Sequence, residues 1–313
     1  MFGFYNIVLR VNLSQQSFEL KMLSDQVLCT TLGGKGLAAY LLRGSKPRPA
    51  STPISEDSII FATGPLTGNR VPGSRCCGLF TRSSGENGCA GSYLLGSIAE
   101  CIAGTGFDAV EVNGASNRPV WIEICEGGSF YVPGSELQGL TGVQTAKQIG
   151  KWMRENRPAA RKFGIVYIGD GEGKASESPI PEIDWAIDRK SDMARILLAK
   201  NVMAFVFWGE KERVLAHPGL IKRFAAKARP FVGTDDRYPQ SKTERGVHEK
   251  RAKSEPQMEY RSTISDCLIV RDSYQRLYGW EDLELLIKSA TGLELGKEEL
   301  CSIARSIMEN IES

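Results

Sequence analysis

Apolar and polar residues alternate at the start of the chain. In YNIVLRVNL, Tyr5, Ile7, Leu9, Val11 and Leu13 fall on one face, and Asn6, Arg10 and Asn12 on the other. A period of two predicts a strand over residues 5–13. Further short runs rich in β-branched or aromatic residues, each bounded by Gly, Pro, Asn or Ser, predict strands at 58–63, 78–81, 109–112, 120–125, 163–168 and 204–208. The period then changes. Residues 36–42 read as a compact apolar helix. Leu95, Ile98, Ala99 and Ile102 keep helical spacing, with Gly104 placed to close that helix in a left-handed conformation. Helices are also expected at 145–154 and 187–199. Near the end, Leu283, Leu286, Ile287 and Ala290 share a face within 281–290. Leu300, Ile303, Ala304, Ile307, Met308 and Ile311 do so within 297–312, a helix opened by Glu298 and Glu299 near its positive end.

Strands and helices mix without regular βαβ alternation, so the pattern favours an α+β fold over a doubly wound sheet. The expected organisation is a strand-rich unit over 1–212, a connecting helix over 213–232, a polar linker over 233–258 and a helical C-terminal segment over 259–313. The linker is almost devoid of apolar residues. Its basic run (Lys242, Arg245, Lys250, Arg251, Lys253) reads as solvated, with contact to an anion as the alternative.

Composition narrows the function. The chain has 313 residues, enough for a sizeable core, and a net charge of only +2, which argues against a dedicated nucleic-acid binder. No run of eighteen apolar residues is present, so no transmembrane helix and no membrane partner are expected. The start lacks the basic and apolar regions of a signal peptide, and a cytoplasmic location is the expectation. In that compartment the eight cysteines should be reduced thiols or metal ligands. With only two histidines, His217 and His248, both in polar stretches, a His-based triad or multi-His zinc site is not expected.

Two glycine motifs fail as phosphate loops. In GDGEGKAS (169–176) the Gly173-Lys174 pair is followed by Ala175, and Ile168 stands where the first P-loop glycine belongs. GGKG (33–36) lacks the partner residues as well. No two cysteines have CxxC spacing. Cys76 and Cys77, adjacent on a strand, would point to opposite faces. Buried thiols are the simpler reading, and a site joining either to Cys89 is the alternative. What remains is the glycine-dense stretch FATGPLTGNRVPGSRCCGLFTRSSGENGCAGSYLLG (61–96). Its small residues would let backbone amides approach an anion.

Four segments in succession, LGGKGLAAYLL (32–42), IIFATGPLTGNRVPGSR (59–75), GTGFDAVEVNGASNRPVWIEI (104–124) and IGDGEG (168–173), resemble the first domain of the aldehyde:ferredoxin oxidoreductases, the tungsten-pterin enzymes. The tail, with SDCLIVRDSY (265–274) and the helices after it, is similar to that family's end. The resemblance implies two β-sheets that form a base for a tungsten or molybdenum pyranopterin. It places Arg75 on the family's pterin-contacting Arg, able to fork onto a phosphate. It places Gly91 and Ser92 in a small-residue turn beside the cofactor and a bridging magnesium.

The departures from the family are concentrated at its ligands. The middle-domain CxxCxxxC run is absent, and with it three ligands of the family's four-iron cluster. In the segment that supplies the fourth, Ile269 stands for the expected Gly and Arg271 for the expected Cys. In the phosphate-facing loop, two glycines are replaced by Ser191 and Asp192, within Ala186-Ile187-Asp188-Arg189-Lys190-Ser191-Asp192. Asn87 lies near the position of the magnesium-contacting Asn but out of register. A four-iron cluster and a metal held by the protein are therefore not expected. The resemblance implies a shortened member that is redox-incompetent alone, with a scaffold or accessory role and residual pterin binding. The alternative is a tungsten- or molybdenum-pterin subunit that oxidises aldehydes with the iron–sulfur cluster supplied by a partner chain. A homo-oligomer or a partner redox subunit fits either reading.

Overall fold

The computed structural model describes residues 1–43, 53–82, 89–170, 184–228 and 256–312. Within them, β1 (Ile7–Asn12) pairs antiparallel with β2 (Ser17–Met22). β3 (Ile59–Ala62), β4 (Cys76–Arg82), β5 (Cys89–Leu95) and β6 (Ala109–Asn113) complete a six-stranded sheet of order β2-β1-β6-β3-β4-β5, in which only β1 and β6 run parallel. The second sheet has five strands: β7 (Val120–Cys125), β8 (Gly128–Pro133), β9 (Phe163–Ile168), β10 (Trp185–Ile187) and β11 (Val202–Trp208), in the order β10-β9-β11-β7-β8. Mixed sheets with helices packed on them make the fold α+β.

The sheets face each other across the main core. Leu9, Val11, Ile59, Phe61, Val110 and Val112 meet Ile122, Ile124, Val166, Phe205 and Phe207. Phe61 lies edge-on to Phe205 and Phe207, with centroids 5.0 and 4.9 Å away. Each outer face is covered too. α1 (Asp25–Thr31) and α2 (Gly34–Arg43) lie over Val8, Ile60, Ala62 and Phe80, and α4 (Gly142–Asn156) lies over Trp121, Ile165, Tyr167 and Val206. Central strands buried on both sides read as continuous apolar runs, which is why β3 is IIFA.

α3 (Ser97–Gly104) and α5 (Asp192–Ala199) contribute to the core between the sheets. The closing helices are α6 (Pro218–Ala228), α7 (Pro256–Cys267), α8 (Asp272–Gln275), α9 (Trp280–Thr291) and α10 (Lys297–Glu312). They form a separate apolar cluster that includes Leu32, Leu66 and Val71 from the first third of the chain. Among the described residues, no helix is long and apolar enough to cross a membrane.

Several elements differ from the expected ones. β2, β5, β8 and β10 were not legible, because an edge or glycine-rich strand lacks the buried alternation that marks one. The helix expected over 187–199 is split: Ile187 ends β10, and α5 starts at Asp192 because Ser191 caps it. Leu95 belongs to β5, not to the following helix, since Gly96 at φ 92° breaks the chain between them. The left-handed glycine after α3 is Gly106 at φ 84°, not Gly104. Gly104 instead lies against Gly209, whose carbonyl would be 2.4 Å from any added Cβ. Residues 171–176 of the failed phosphate loop, Asn87, and 233–255 of the expected linker lie outside the described residues. Residues 256–258 open α7.

Candidate functional site

The glycine-rich stretch folds as the β4–β5 pair. Gly91 and Ser92 are exposed, but they sit within β5, opposite Phe80 and Leu79, and not in a turn. The smallness of Gly91 has an internal reason. The Phe80 ring lies across the sheet between Gly78 and Gly91. A Cβ would stand 2.1 Å from Phe80 Cε2 at Gly78 and 2.3 Å from Phe80 Cδ1 at Gly91. The two glycines make room for a buried aromatic ring on the α2 face.

Five of the eight cysteines, Cys76, Cys77, Cys101, Cys125 and Cys267, are buried. Cys77 joins the core between the sheets. Cys76 turns the other way, and its thiol donates to the carbonyls of Gly73 and Ile269, both at 3.2 Å. Burial pushes both thiols up, and pushes those of Cys89 and Cys267 up to about 12. None is poised as a free nucleophilic thiolate. Among the described residues, no group of three or more His, Cys, Asp or Glu side chains converges as a metal site would.

Arg75 lies just before β4, where its carbonyl accepts from Gly96 N–H. Its Nε donates to Glu100 Oε1 at 2.9 Å and its guanidinium to Ser97 Oγ at 2.9 Å. Glu100 also accepts from Lys162 Nζ at 2.5 Å. The guanidinium is 43% exposed, in a surface cluster already balanced by a carboxylate. Gly91 faces a residue five positions further along β4, a distance of about 17 Å at ~3.3 Å per residue. The structure therefore does not bring Arg75 together with Gly91 and Ser92. Gly91 meets the Phe80 ring on one face, and Arg75 is paired with Glu100 and Ser97.

The loop carrying Ser191 and Asp192 is committed to α5. Ser191 Oγ accepts from Ala194 N–H at 3.2 Å, and its hydroxyl donates to the Asp188 carbonyl at 2.6 Å. Asp192 pairs with Arg195 at 3.0 Å at the exposed helix start. Of the first N–H groups of this helix, that of Ala194 is met by the Ser191 side chain.

The segment 266–271 is where the sequence signal was missed. Asp266 accepts from Tyr93 Oη at 2.6 Å, from Lys35 Nζ at 3.2 Å and from Gln275 Nε2 at 2.7 Å. Ser262 Oγ in turn donates to Gln275 Oε1 at 2.8 Å. Burial works against the charge of Lys35, but the adjoining Asp266 carboxylate outweighs it and holds the ammonium above its ordinary pKa. The approach is backbone on backbone. A Cβ at Gly34 would stand 2.5 Å from the carbonyls of Asp266 and Cys267, and one at Gly64 would stand 2.7 Å from that of Cys267. GGKG is therefore not a spoiled phosphate loop. Its Gly34 admits the end of α7, and its lysine answers Asp266. Ile269 sits at φ 57° and is fully buried. A β-branched residue is strained there, by about 1–2 kcal/mol relative to glycine. Arg271 is 7% exposed, and its N–H donates to the Gly73 carbonyl at 3.0 Å.

The sequence model of the aldehyde ferredoxin oxidoreductase N-terminal domain matches residues 8–209, and the chain belongs to that family. Among its relatives, the tungsten-containing aldehyde ferredoxin oxidoreductase of Pyrococcus horikoshii is 27% identical over 221 residues, covering 70% of this chain and 35% of that protein. The WOR-like subunit of the aliphatic sulfonate oxidoreductase of Pyrococcus furiosus is 26% identical over 181 residues, covering 55% of this chain and 29% of that protein. The chain spans about a third of the length of the curated relatives it matches. The solved active site complex BamBC of benzoyl coenzyme A reductase, in complex with 1,5-dienoyl-CoA, shares the fold. Its TM-score is 0.58 at 23% identity, covering 76% of this chain and 37% of that one.

Proposed function

We propose that this chain is a scaffold or accessory member of the aldehyde ferredoxin oxidoreductase family that does not carry out oxidation–reduction alone. The observation that supports it most is the segment 266–271. Its residues at the family's glycine and cluster-cysteine positions, Ile269 and Arg271, are both buried, and Asp266 is held by Lys35, Tyr93 and Gln275. Side chains that would face a cofactor are used instead to seal the closing helices onto the sheet unit. Ser191 as a helix cap and Gly91 as a seat for Phe80 support the same reading.

Metal and pterin content of anaerobically purified protein tests it. Expressed in a host supplied with tungstate and molybdate, the protein should carry neither metal near one per chain and show no pterin fluorescence after oxidation. One tungsten or molybdenum per chain would overturn the proposal.

That result would favour the second reading, a pterin-binding oxidoreductase subunit whose iron–sulfur cluster comes from a partner chain. The name of the Pyrococcus furiosus relative, a WOR-like subunit, supports considering it. Under that reading Arg75→Ala, which removes the forked donor, should abolish pterin retention.

A further inference from the structure

β2 lies at an edge of the six-stranded sheet, beside β8, where the Phe18 ring covers Gly128 and Tyr131 Oη donates to the Ser17 carbonyl, and its apolar side chains remain partly exposed. Phe18 is 40% exposed, Leu20 53% and Met22 67%. These three alternate along one face and pair with Val11, Leu9 and Ile7 of β1. The other face carries Glu19 and Lys21, with Glu19 3.3 Å from Arg10.

The hydrogen-bond phase of this edge is fixed by the flanking bonds. Leu23 N–H donates to the Asn6 carbonyl, so the even-numbered residues of β1 face β2. Asp108 N–H donates to the Ile7 carbonyl, so the odd-numbered ones face β6. In an antiparallel pair the bonded residues alternate. Ser17, Glu19 and Lys21 of β2 therefore bond to β1, and the N–H and C=O groups of Phe18, Leu20 and Met22 point outwards. The residues with the exposed apolar side chains are the same ones whose outward main-chain groups no other strand pairs among the described residues.

We propose that β2 is a homodimer edge, which pairs antiparallel with β2 of a second copy about a two-fold axis through Leu20. The sequence SFELKM is self-complementary in this register. Leu20 faces Leu20 of the second copy, Phe18 faces Met22, and Glu19 faces Lys21 in both directions, as an isologous contact requires. The three outward-facing pairs exchange two main-chain bonds each. The Glu–Lys pairs fall at non-hydrogen-bonded positions, where opposed side chains lie closest. Lys21 is the kind of residue that protects an edge from indiscriminate pairing. In this register alone its charge is matched, so the edge selects its own copy. One short ladder with three apolar side chains from each copy sits at the low end of interface sizes, below about 1,200 Å², and a dimer of micromolar affinity is expected.

Sedimentation of the full chain across a concentration series tests the pairing. The wild type should show a reversible monomer–dimer equilibrium. Glu19→Lys should weaken it by about tenfold or more, since it sets like charges opposite one another twice. The charge swap Glu19→Lys with Lys21→Glu should restore it. Leu20→Cys should form a disulfide-linked dimer under mild oxidation, because a bonded antiparallel pair holds its Cα atoms about 5.5 Å apart; Met22→Cys should not. A wild type that stays monomeric at 100-fold above about 1 μM overturns the proposal. So does a dimer indifferent to Glu19→Lys with its circular dichroism unchanged. Cross-linking that places β2 against a different chain of the native host would overturn it as well.

Discussion

At the scale of single residues, the informative positions are those that break a local rule. Lys200 is fully buried, and its ammonium donates to the carbonyls of Ser55 at 2.7 Å and Gly114 at 2.8 Å. It ties α5 to the loops beside the first sheet. Burial lowers its pKa to about 8, from an ordinary 10.5. Between those values the unfolded chain holds a proton that the folded chain has lost. The stability contributed by this group therefore rises with pH in that window and is flat below it. The span is worth about 3 kcal/mol. Urea midpoints of the wild type and Lys200→Met at pH 7, 8.5 and 10 should move apart in favour of the wild type as pH rises. A difference that stays constant with pH would refute the assignment.

At the scale of elements, the β4–β5 pair explains how a ligand-like composition can be structural. Glycine density alone carries two messages, approach of a ligand or approach of the protein's own atoms. The sequence does not separate them, because the Phe80 ring that fills the space becomes a neighbour only once the strands are in register. Gly91→Ala should cost about 1–3 kcal/mol through overpacking against Phe80. Phe80→Leu in the same chain should recover part of that loss, giving a non-additive cycle. Additive losses would show that Gly91 is small for some other reason. The split of the expected 187–199 helix has a similar origin. Its apolar residues satisfy a helical period, but the Ser191 cap and the pairing of β10 with β9 decide where the helix begins.

At the scale of the whole molecule, the main event is the seating of the closing helices on the sheet unit. The contact rests on two glycines, Gly34 and Gly64, and on one buried carboxylate, Asp266. Asp266→Ala would leave Lys35, Tyr93 and Gln275 without their shared acceptor, at a cost of about 2–4 kcal/mol. The loss should be local. Amides of α7 and α9 should exchange faster in hydrogen-exchange measurements, while those of β3 and β11 keep their protection. Equal acceleration throughout would mean that Asp266 supports the fold generally and does not tie its two parts.

Much of this was legible in the chain. Strands buried on both faces announce themselves as IIFA, VWIEIC and FGIVYI, because a long apolar run can be satisfied only inside a layered fold. The helices with a clear apolar stripe were legible for the same reason, and the ordered runs at 32–42, 59–75 and 104–124 carried the family. The local sequence could not give the partner of each small or charged residue. Gly91 meets Phe80, Arg75 meets Glu100, and Lys35 meets Asp266 across 231 positions of chain. Hydrophobic period is a local property of consecutive residues. Whether a glycine admits a ligand or a ring, and whether a cation awaits an anion or already holds one, depends on atoms that only the tertiary structure brings within reach.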